Sequence, residues 1–389
     1  MRKVSALSKI LGIIGGGQLG MMLTEAAKQM PEHISKVVVL DPSDNCPAAK
    51  AGAKQILGNF SDKNDIVELS LQSDVITYEI ESGDTETLLS IKEPIMINPP
   101  PETLRIIQDK YLQKKFLQEN KIPVADFAPI TSISDLEQKI PEFGYPSMLK
   151  LRRNAYDGRG NYKIDMPEQI TQGYSRFNGK SVYLEKHVKF LCEISVIAAR
   201  STNGEIASYP AAENIHEENI LRMTIAPARI SNNVAYEAEQ IANRVMKAFH
   251  GAGVFGIEMF VTKDDKVLVN EIAPRVHNSG HHTLQSSITS QFEQHLRAIL
   301  GLKLGKTNLL HRAVMCNILG PNDLKGRCKI VNVKHADGVY VKWYQKDEIK
   351  PLRKMGHFTV VDINDALDIN NLITKADEIR RSISFVMES

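Results

Sequence analysis

A short apolar run that ends in glycines constrains the fold of this chain more than any other feature near its start. Residues 10–14 are apolar and lead into Gly15-Gly16-Gly17-Gln18-Leu19-Gly20, after which a helix-like pattern begins. The runs 37–40, 74–80 and 95–97 are also short and apolar, with helix-like segments between the first of them. Fully apolar strands that alternate with helices are typical of a parallel sheet covered on both faces. We therefore predict an α/β unit at the start of the chain.

The glycine loop itself has two interpretations. It fits the pattern G-x-G-x-x-G between a strand and a helix, and Asp41 ends the next strand, where a dinucleotide fold would have its ribose-binding acid. On these residues alone the chain would be an NAD(P)-dependent dehydrogenase. The alternative is a tight turn of a Rossmann-like domain that holds a different anion, or none, at the helix N-terminus. The rest of the chain favours this alternative.

The pattern of helix-like and strand-like segments changes after residues 98–101, which are rich in proline, and a charged helix that we predict over about 102–120. Strand-like runs dominate residues 145–275, interrupted by a helix near 233–250, which indicates an α+β unit with an antiparallel sheet. One hydrophobic core rarely extends over 389 residues. We place the domains at 1–100, 101–300 with a lid subdomain at about 125–188, and 301–389.

Composition excludes several classes of protein. A net charge of +2 provides no electrostatic basis for binding nucleic acid or a membrane surface. The four cysteines form no Cys-x-x-Cys pair, which argues against structural zinc and fits a reducing compartment. The apolar run near the start is too short to span a bilayer and enters a glycine turn instead of a cleavage site. We expect a cytoplasmic protein.

A second glycine loop follows a strand-like run that ends at Lys150. It has the sequence Tyr156-Asp157-Gly158-Arg159-Gly160-Asn161. It lacks the Gly-Lys-Ser/Thr of a P-loop, but a glycine loop between two strands can close over phosphates as a lid, with Lys150 as a point cation. An ordinary hairpin with a surface lysine is the alternative.

Two acidic residues lie in otherwise apolar strand-like runs. Glu258 and Glu271 flank a turn at 263–266, so they can lie on adjacent antiparallel strands. Buried carboxylates are costly unless they are paired or bind a metal. Mg²⁺ prefers oxygen ligands, and Asn270 can supply another. Two salt-bridged strand acids are the alternative. Similarly, Glu185 or Glu193 could accept hydrogen bonds from ribose hydroxyls.

A dense polar segment follows Glu271. It runs from Arg275 through His277 and Asn278 to His281 and His282. Three histidines within six residues suggest zinc, but no cysteine or further acid at zinc spacing accompanies them. A loop with an arginine for an anion fits better, and we expect His282 to be structural.

These segments, in this order, resemble the ATP-grasp superfamily, and more narrowly the N5-carboxyaminoimidazole ribonucleotide synthetases of purine biosynthesis, over nearly the whole chain. The specific runs are 273–281 and 353–357, whereas the lid and the first glycine loop are shared more broadly. The resemblance implies an ATP-grasp fold with an N-terminal Rossmann-like domain and a small C-terminal mixed β domain. It also implies ATP-dependent carboxylation of 5-aminoimidazole ribonucleotide by bicarbonate through carboxyphosphate.

The resemblance further implies a role for each site residue, with ATP and Mg²⁺, or Mn²⁺, as cofactors. The metal ligands would be Glu258 and Glu271. Residues that close over the reacting groups would be Tyr156, Asp157, Arg159, Arg275, His277 and Asn278. ATP would contact Lys110, Lys150, Tyr156, Asp157, Gly158, Arg159, Gly160, Asn161, Glu185, Lys186, His187, Val188, Glu193, His216, Asn270 and Glu271. The ribonucleotide would contact Gly17, Gln18, Leu19, Glu79, Lys346, Arg353 and Lys354.

The implied partners are small molecules and a second copy of the chain in a homodimer, with the mutase that acts next as a separate protein. The sequence departs from the family pattern in a few places. Val276 replaces a usual proline, Asn154-Ala155 replaces a glycine pair, and the tail has Gln345, Lys350 and Leu352 in place of glycine, arginine and glycine. The nearest alternative function is a formate-dependent glycinamide ribonucleotide transformylase of the same superfamily; a non-catalytic nucleotide-binding regulator is a further one.

Overall fold

A parallel sheet forms the N-terminal part of the computed structural model, which describes residues 8–92, 94–154, 160–177, 179–331, 336–364 and 367–387. The strands run in the order β3-β2-β1-β4-β5, and each neighbouring pair is parallel. This confirms the predicted α/β unit. Its elements are β1 Lys9–Ile14, α1 Gln18–Lys28, β2 Ile34–Asp41, α2 Pro47–Lys50, β3 Lys54–Leu57, α3 Lys63–Leu71, β4 Val75–Tyr78, α4 Thr85–Ser90 and β5 Met96–Ile97.

The order of the strands reverses between β1 and β4. In open α/β sheets, ligands bind in the crevice beyond the carboxyl ends of the strands at such a switch point. The segments that leave these two strands are the glycine loop after Ile14 and the segment from Glu79 to Asp84 before α4. The topology therefore places both segments at the expected ligand crevice.

Two helices occupy the region where we predicted one charged helix over about 102–120. The first ends at Gln108, and Asp109 has an extended backbone with φ −107° and ψ 103°. The carboxylate of Asp109 accepts hydrogen bonds from the backbone N–H groups of Tyr111 and Leu112, so it starts a new helix. The prediction of a single helix was wrong because a helix-capping aspartate lies inside a sequence of otherwise helical composition.

A second, antiparallel sheet follows these helices, with the strand order β6-β9-β7-β8. Its core contains residues such as Leu149 and Leu184. The elements of this part are α5 Pro101–Gln108, α6 Lys110–Glu119, β6 Phe127–Ile130, α7 Ile133–Phe143, β7 Ser147–Leu151, β8 Asn161–Ile164, α8 Ile170–Ser175 and β9 Val182–Lys186.

The largest sheet is antiparallel, and it runs through the remainder of the chain in the order β15-β14-β10-β12-β13-β16-β19-β18, with β11 on β10. Because β13 pairs with β16, the C-terminal strands extend the same sheet. Strands β17 and β20 pair with each other in a separate two-stranded sheet. The elements of this part of the chain are β10 Phe190–Arg200, β11 Ile206–Ser208, β12 Ala212–Glu217, β13 Ile220–Ala226, α9 Asn232–Phe249, β14 Gly253–Thr262, β15 Val267–Ala273, α10 Thr283–Ser286, α11 Gln291–Ile299, β16 Ala313–Leu319, β17 Cys328–Val331, β18 Val339–Trp343, β19 Lys354–Val361, α12 Ile369–Ser382 and β20 Ser384–Met387.

A continuous apolar core joins the N-terminal unit to the rest of the protein. Met22 and Leu23 of α1 belong to the same buried cluster as Phe292 and Leu296 of α11 and Tyr344 near the C-terminus. This packing holds the crevice of the parallel sheet against the segment that follows β15. Among the helices of the described residues, none is long and apolar enough to cross a membrane.

Candidate active site

The two predicted metal-binding carboxylates face each other across neighbouring strands. Glu258 on β14 is the direct antiparallel partner of Glu271 on β15. The register shifts between Glu258 and Met259, so that Met259 pairs with Val269 and Asn270 is the extra residue of a β-bulge. A bulge interrupts the alternation of side chains along a strand. This permits Asn270 to lie on the same side as Glu271, and both are half-buried.

The charges around this pair are unequal. Lys110 Nζ lies 2.7 Å from Glu271 Oε2, and this lysine outweighs burial to lower the pKa of Glu271. Burial, followed by the charge of Glu271, raises the pKa of Glu258 to about 7. Glu258 therefore lacks sufficient positive charge nearby, which a divalent cation would supply.

The donor set fits Mg²⁺ better than zinc. Two carboxylates and an amide oxygen are hard oxygen ligands, and Mg²⁺ commonly binds one or two carboxylates while keeping waters and substrate phosphates. Among the residues that the structure describes, no group of three or more histidine, cysteine or acidic side chains could hold a metal ion by itself.

A buried carboxylate forms ion pairs with two lysines next to the carboxylate pair Glu258 and Glu271. Glu185, at the end of β9, lies 2.9 Å from Lys114 Nζ and 2.5 Å from Lys150 Nζ. Burial opposes ionisation of Glu185, but the two lysines lower its pKa to about 2. One carboxylate and two ammonium groups leave a net positive charge in a buried place. Such a charge suits a polyphosphate. One of the two ammonium groups belongs to Lys150, which we predicted to contact ATP.

The segment at the end of β9, residues 185–188, which we predicted to contact ATP, begins at this cluster. The side chain of Glu185 is engaged by the lysines. His187 follows two residues later, and its Nδ1 is buried without a hydrogen-bond partner among the described atoms. Burial lowers the pKa of His187, so the ring is neutral at pH 7. A neutral ring nitrogen without a partner can donate a hydrogen bond to a ligand or accept one from it, depending on the tautomer.

Two residues that we predicted to contact ATP, Glu193 and His216, form an ion pair. His216 Nδ1 on β12 lies 3.0 Å from Glu193 Oε2 on β10. Burial lowers the pKa of His216, but Glu193 outweighs it and the net shift is upward. The structure thus brings Glu193 and His216 together on neighbouring strands, with Glu258 close enough to act on His216 electrostatically.

The segment after β15 places His277 beside the carboxylate pair Glu258 and Glu271. His277 Nε2 lies 3.5 Å from Glu258 Oε1, and His277 Nδ1 lies 2.9 Å from Ser279 Oγ. Ser195 donates to Ser279 Oγ, which leaves the hydroxyl proton of Ser279 for Nδ1. This arrangement assigns the proton of a neutral His277 to Nε2. Burial and the neighbouring Arg275 both lower the pKa of His277, in agreement with a neutral ring.

Asn278 is held by a residue that the sequence did not indicate. Asn278 Nδ2 donates to Asn317 Oδ1 at 3.0 Å, and Asn317 Nδ2 donates to Asn278 Oδ1 at 2.7 Å. Asn317 lies on β16, in the C-terminal extension of the large sheet. Asn317 Nδ2 also donates to the carbonyl oxygen of Leu221 at 2.8 Å, which fixes the orientation of Asn317 and, through the reciprocal pair, that of Asn278.

The last histidines of this segment belong to the core. His282 Nδ1 is 2.7 Å from Ser286 Oγ, one turn away. The His281 ring lies 4.8 Å from that of His357, which in turn is hydrogen-bonded to the hydroxyl group of Tyr344. All four of these ring side chains are fully buried, or nearly so. Packing therefore explains why the histidines of the two specific sequence runs occur together.

The glycine loop after β1 binds a carboxylate of the chain itself. The N–H groups of Gly17 and Gly20 donate to the two oxygens of Glu79 at 2.6 and 2.7 Å. A Cβ on Gly17 would lie 2.6 Å from Glu79 Oε1, so a larger residue here would displace the Glu79 carboxylate. Asp41 accepts hydrogen bonds from the N–H groups of Gly16 and Ser43. The anion site and the acid that a dinucleotide would need are both occupied, which argues against a dehydrogenase.

The cationic residues of the tail reach the same crevice. Lys346 Nζ donates to the carbonyl oxygen of Lys354 at 2.7 Å. Burial, then Arg353, lowers the pKa of Lys346 to about 7, and Glu79 opposes this shift. The structure therefore brings Lys346 into electrostatic range of Glu79, with Arg353 and Lys354 close to Lys346. Of the predicted lid, Tyr156 to Arg159 lie outside the described residues, whereas Gly160 and Asn161 lead into and begin β8.

Family models match three successive parts of the chain. They are a ribonucleotide synthetase preATP-grasp domain at 8–108, an ATP-grasp domain at 115–292 and a phosphoribosylaminoimidazole carboxylase C-terminal domain at 313–367. The N5-carboxyaminoimidazole ribonucleotide synthase of Bacillus subtilis is 40% identical over 350 residues, which cover 90% of each protein. The chain belongs to this family.

Other relatives of the synthase family differ in length. The phosphoribosylaminoimidazole carboxylase of Ogataea methanolica is 41% identical over 91% of this chain, which spans only 66% of that protein. The synthetase structure from Thermotoga maritima has a TM-score of 0.87 and 42% identity, and the match covers 98% of this chain and 100% of that one. The Aspergillus clavatus synthase, solved with ADP and 5-aminoimidazole ribonucleotide, has a TM-score of 0.86 and 31% identity, with 96% and 99% covered.

Three of the positions where the resemblance implies a glycine share a backbone feature. Asn154, Gln345 and Leu352 have φ angles of 56°, 51° and 60°. These left-handed conformations favour glycine, are tolerated by asparagine and strain a branched residue. Glycine would therefore adopt the backbone conformation found here at these three positions most easily.

Proposed function

We propose that this chain is an ATP-dependent ligase that joins bicarbonate to the exocyclic amine of 5-aminoimidazole ribonucleotide. The products are N5-carboxyaminoimidazole ribonucleotide, ADP and phosphate. The observation that carries the proposal is the cross-strand pair Glu258 and Glu271, with Lys110 on one side and His277 on the other. The Aspergillus clavatus relative binds ADP and 5-aminoimidazole ribonucleotide, which supports the same substrates here.

The proposed reaction needs activation of a poor electrophile. A bicarbonate oxygen attacks the γ-phosphorus of ATP, ADP leaves, and carboxyphosphate forms. The amine nitrogen then bonds to the carboxyl carbon, either directly or after CO₂ is released, while phosphate leaves and the nitrogen loses a proton. Phosphoryl transfer depends chiefly on positioning and on neutralising charge. Mg²⁺, or Mn²⁺, held by Glu258 and Glu271 would neutralise charge at the phosphates.

The protein side chains divide this work. Lys110 and Lys150 would contact the phosphates, because each is an ammonium group held within 3 Å of a carboxylate of the site. Because the Ser279 network leaves the proton of His277 on Nε2, this ring would donate a hydrogen bond to an oxyanion and would not act as a base. Asn317 engages one N–H of the Asn278 amide and one lone pair of its oxygen, so Asn278 would use its second N–H or its second lone pair toward a substrate.

The crevice of the parallel sheet would hold the ribonucleotide. Its 5′-phosphate would bind Lys346, Arg353 and Lys354, of which Lys346 lies within electrostatic range of Glu79. Glu79 would then accept from the sugar or the amine while the glycine N–H groups hold it in place. A homodimer and a separate mutase are expectations from the resemblance alone.

The deciding experiment measures ADP release with two substrate pairs. We expect release with 5-aminoimidazole ribonucleotide and bicarbonate, and none above background with glycinamide ribonucleotide and formate. Turnover with only the second pair would show a transformylase instead. Glu271→Gln should abolish ADP release because it removes a metal ligand, whereas Glu239→Gln, on the exposed face of α9, should leave it unchanged. A Glu271→Gln variant at the parent rate would remove Glu271 from the metal site.

A further inference from the structure

Glu81 reaches from the parallel-sheet crevice to the segment after β15. Its Oε1 lies 2.8 Å from Arg275 Nε, and the two side chains are 30% and 19% exposed. The contact is an ion pair and not an aligned hydrogen bond, because Arg275 Nε has no hydrogen-bond partner among the described atoms. The two residues come from different sheets, so only the tertiary fold brings them together.

This ion pair restricts the arginine without using all of its donors. A guanidinium has five N–H groups in one plane. Arg275 Nη1 donates to the carbonyl oxygen of Val276 at 3.1 Å, and Nε faces Glu81. Within the part of the chain that the structure describes, no acceptor contacts Nη2. The plane of the guanidinium is therefore held at two atoms while the third nitrogen keeps its donors for an anion.

Arg275 lies between carboxylates that compete for it. Burial raises the pKa of Glu79, and Arg275 is among the charges that oppose this rise. Burial also acts to raise the pKa of Glu271, but Lys110, with smaller effects from Lys150 and Arg275, lowers it. Without Glu81, the guanidinium would be attracted to Glu271, where it would compete with a metal ion.

The backbone that carries Glu81 is itself anchored. Gln108 Nε2 donates to the carbonyl oxygens of Glu81 and Gly83 at 2.6 and 2.7 Å. Gln108 is the last residue of α5, and Lys110 begins α6 two residues later. The same stretch of chain therefore holds the Glu81 loop and presents Lys110 to Glu271.

We propose that Glu81 is a positioning residue for Arg275. It orients the guanidinium so that Nη2 faces the bicarbonate oxyanion, and it keeps Arg275 away from Glu271. This role rests on the proposed function, because it takes bicarbonate as the anion that Arg275 binds.

The test compares Michaelis constants in Glu81→Gln and the parent enzyme. We expect KM for bicarbonate to rise by about tenfold or more, the loss of one oriented charged contact, with KM for ATP and the melting temperature unchanged. Glu86→Gln, at an exposed position of α4 close in sequence, is the charge-matched control and should behave as the parent. An unchanged KM for bicarbonate, or equal changes in both constants together with a lower melting temperature, would overturn the role.

Two further variants separate positioning from simple loss of charge. Gln108→Ala keeps Glu81 but releases its loop, so it should also raise KM for bicarbonate selectively. Glu81→Asp keeps the charge and should recover part of the loss. Wild-type constants in Gln108→Ala together with no recovery in Glu81→Asp would contradict the proposal. A parent enzyme without bicarbonate-dependent ADP release would overturn the proposed function as well, whereas an active parent with an unaffected Glu81→Gln overturns only the role of Glu81.

Discussion

Replacement of Glu185 by glutamine would test how strongly one buried carboxylate stabilises the ATP-grasp part of the chain. Glu185 is 2% exposed, and its oxygens lie 2.9 Å from Lys114 Nζ and 2.5 Å from Lys150 Nζ. Glutamine keeps the shape and removes the charge, so the two ammonium groups lose their counter-charge. Removing one partner of a buried ion pair costs about 3–5 kcal/mol of the free energy of unfolding.

The loss of unfolding free energy in Glu185→Gln has an upper limit, because a buried lysine can release its proton and become neutral. Starting from an ordinary pKa of about 10.4, deprotonating one lysine at pH 8 costs about 3 kcal/mol, at about 1.4 kcal/mol for each pH unit. Burial already lowers the pKa of Lys114, against the opposing charge of Glu185, so we expect Lys114 to be the group that deprotonates.

The sign of the pH dependence follows from proton counting. In Glu185→Gln, the unfolded chain would bind one more proton than the folded protein between the two pKa values of Lys114, so stability rises with pH. As long as Lys114 stays charged in the parent, the deficit of the variant should shrink by about 1.4 kcal/mol per pH unit from pH 7 to pH 9.

Urea unfolding of the parent and Glu185→Gln at pH 7, 8 and 9 measures both quantities. Asp135→Asn is the matched control, since Asp135 and Lys139 form an ion pair of 2.8 Å whose side chains are 20% and 31% exposed. This control should cost less than about 1 kcal/mol and show little change over that pH range. A Glu185→Gln variant within about 1 kcal/mol of the parent at pH 7, or a deficit that does not shrink with pH, would refute the reasoning.

Three other changes have defined outcomes. Burial and Arg353 lower the pKa of Lys346 to about 7, so binding of the ribonucleotide phosphate should be accompanied by uptake of a proton, and affinity for the ribonucleotide should fall from pH 7 to pH 9. Calorimetry in two buffers of different ionisation enthalpy would detect the proton uptake. Equal heats of binding in the two buffers would contradict it. Leu352→Gly should raise stability by about 1 kcal/mol in thermal melts, because φ is 60° there; a lower melting temperature would argue against strain. In Gly256→Ala the new Cβ would lie 2.5 Å from that of His277, so kcat should fall while ATP binding persists; an unchanged kcat would show that His277 need not hold its position.

Local sequence patterns predicted most of the fold. The apolar runs at 10–14, 37–40 and 74–80 are strands in the structure, with ends that differ by three residues at most. Strands buried on both faces are continuous apolar runs, so the signal is strong. The prediction of one continuous helix through Asp109 was wrong because the local signal for a helix end was weak. A capping residue acts through the backbone N–H groups that follow it, and helix composition on both sides concealed the break.

The candidate site was predictable where its residues are close in sequence or flank a short turn. Glu258 and Glu271 oppose each other as the turn between them suggested. The bulge that adds Asn270 to their side was not evident, because register depends on packing against both neighbouring strands. The departures at Gln345 and Leu352 were visible as unusual residues, but only the backbone φ angles explain them.

The sequence by itself determined the order of strands and helices, the family and the residue types of the site, since periodicity and short motifs are local properties of a chain. The tertiary structure alone decided which charges meet. Lys114 donates to a carbonyl 155 residues away while pairing with Glu185, and Arg275 pairs with Glu81 from another sheet. Ionic partners are chosen by distance through space and by burial, and neither is encoded in sequence separation.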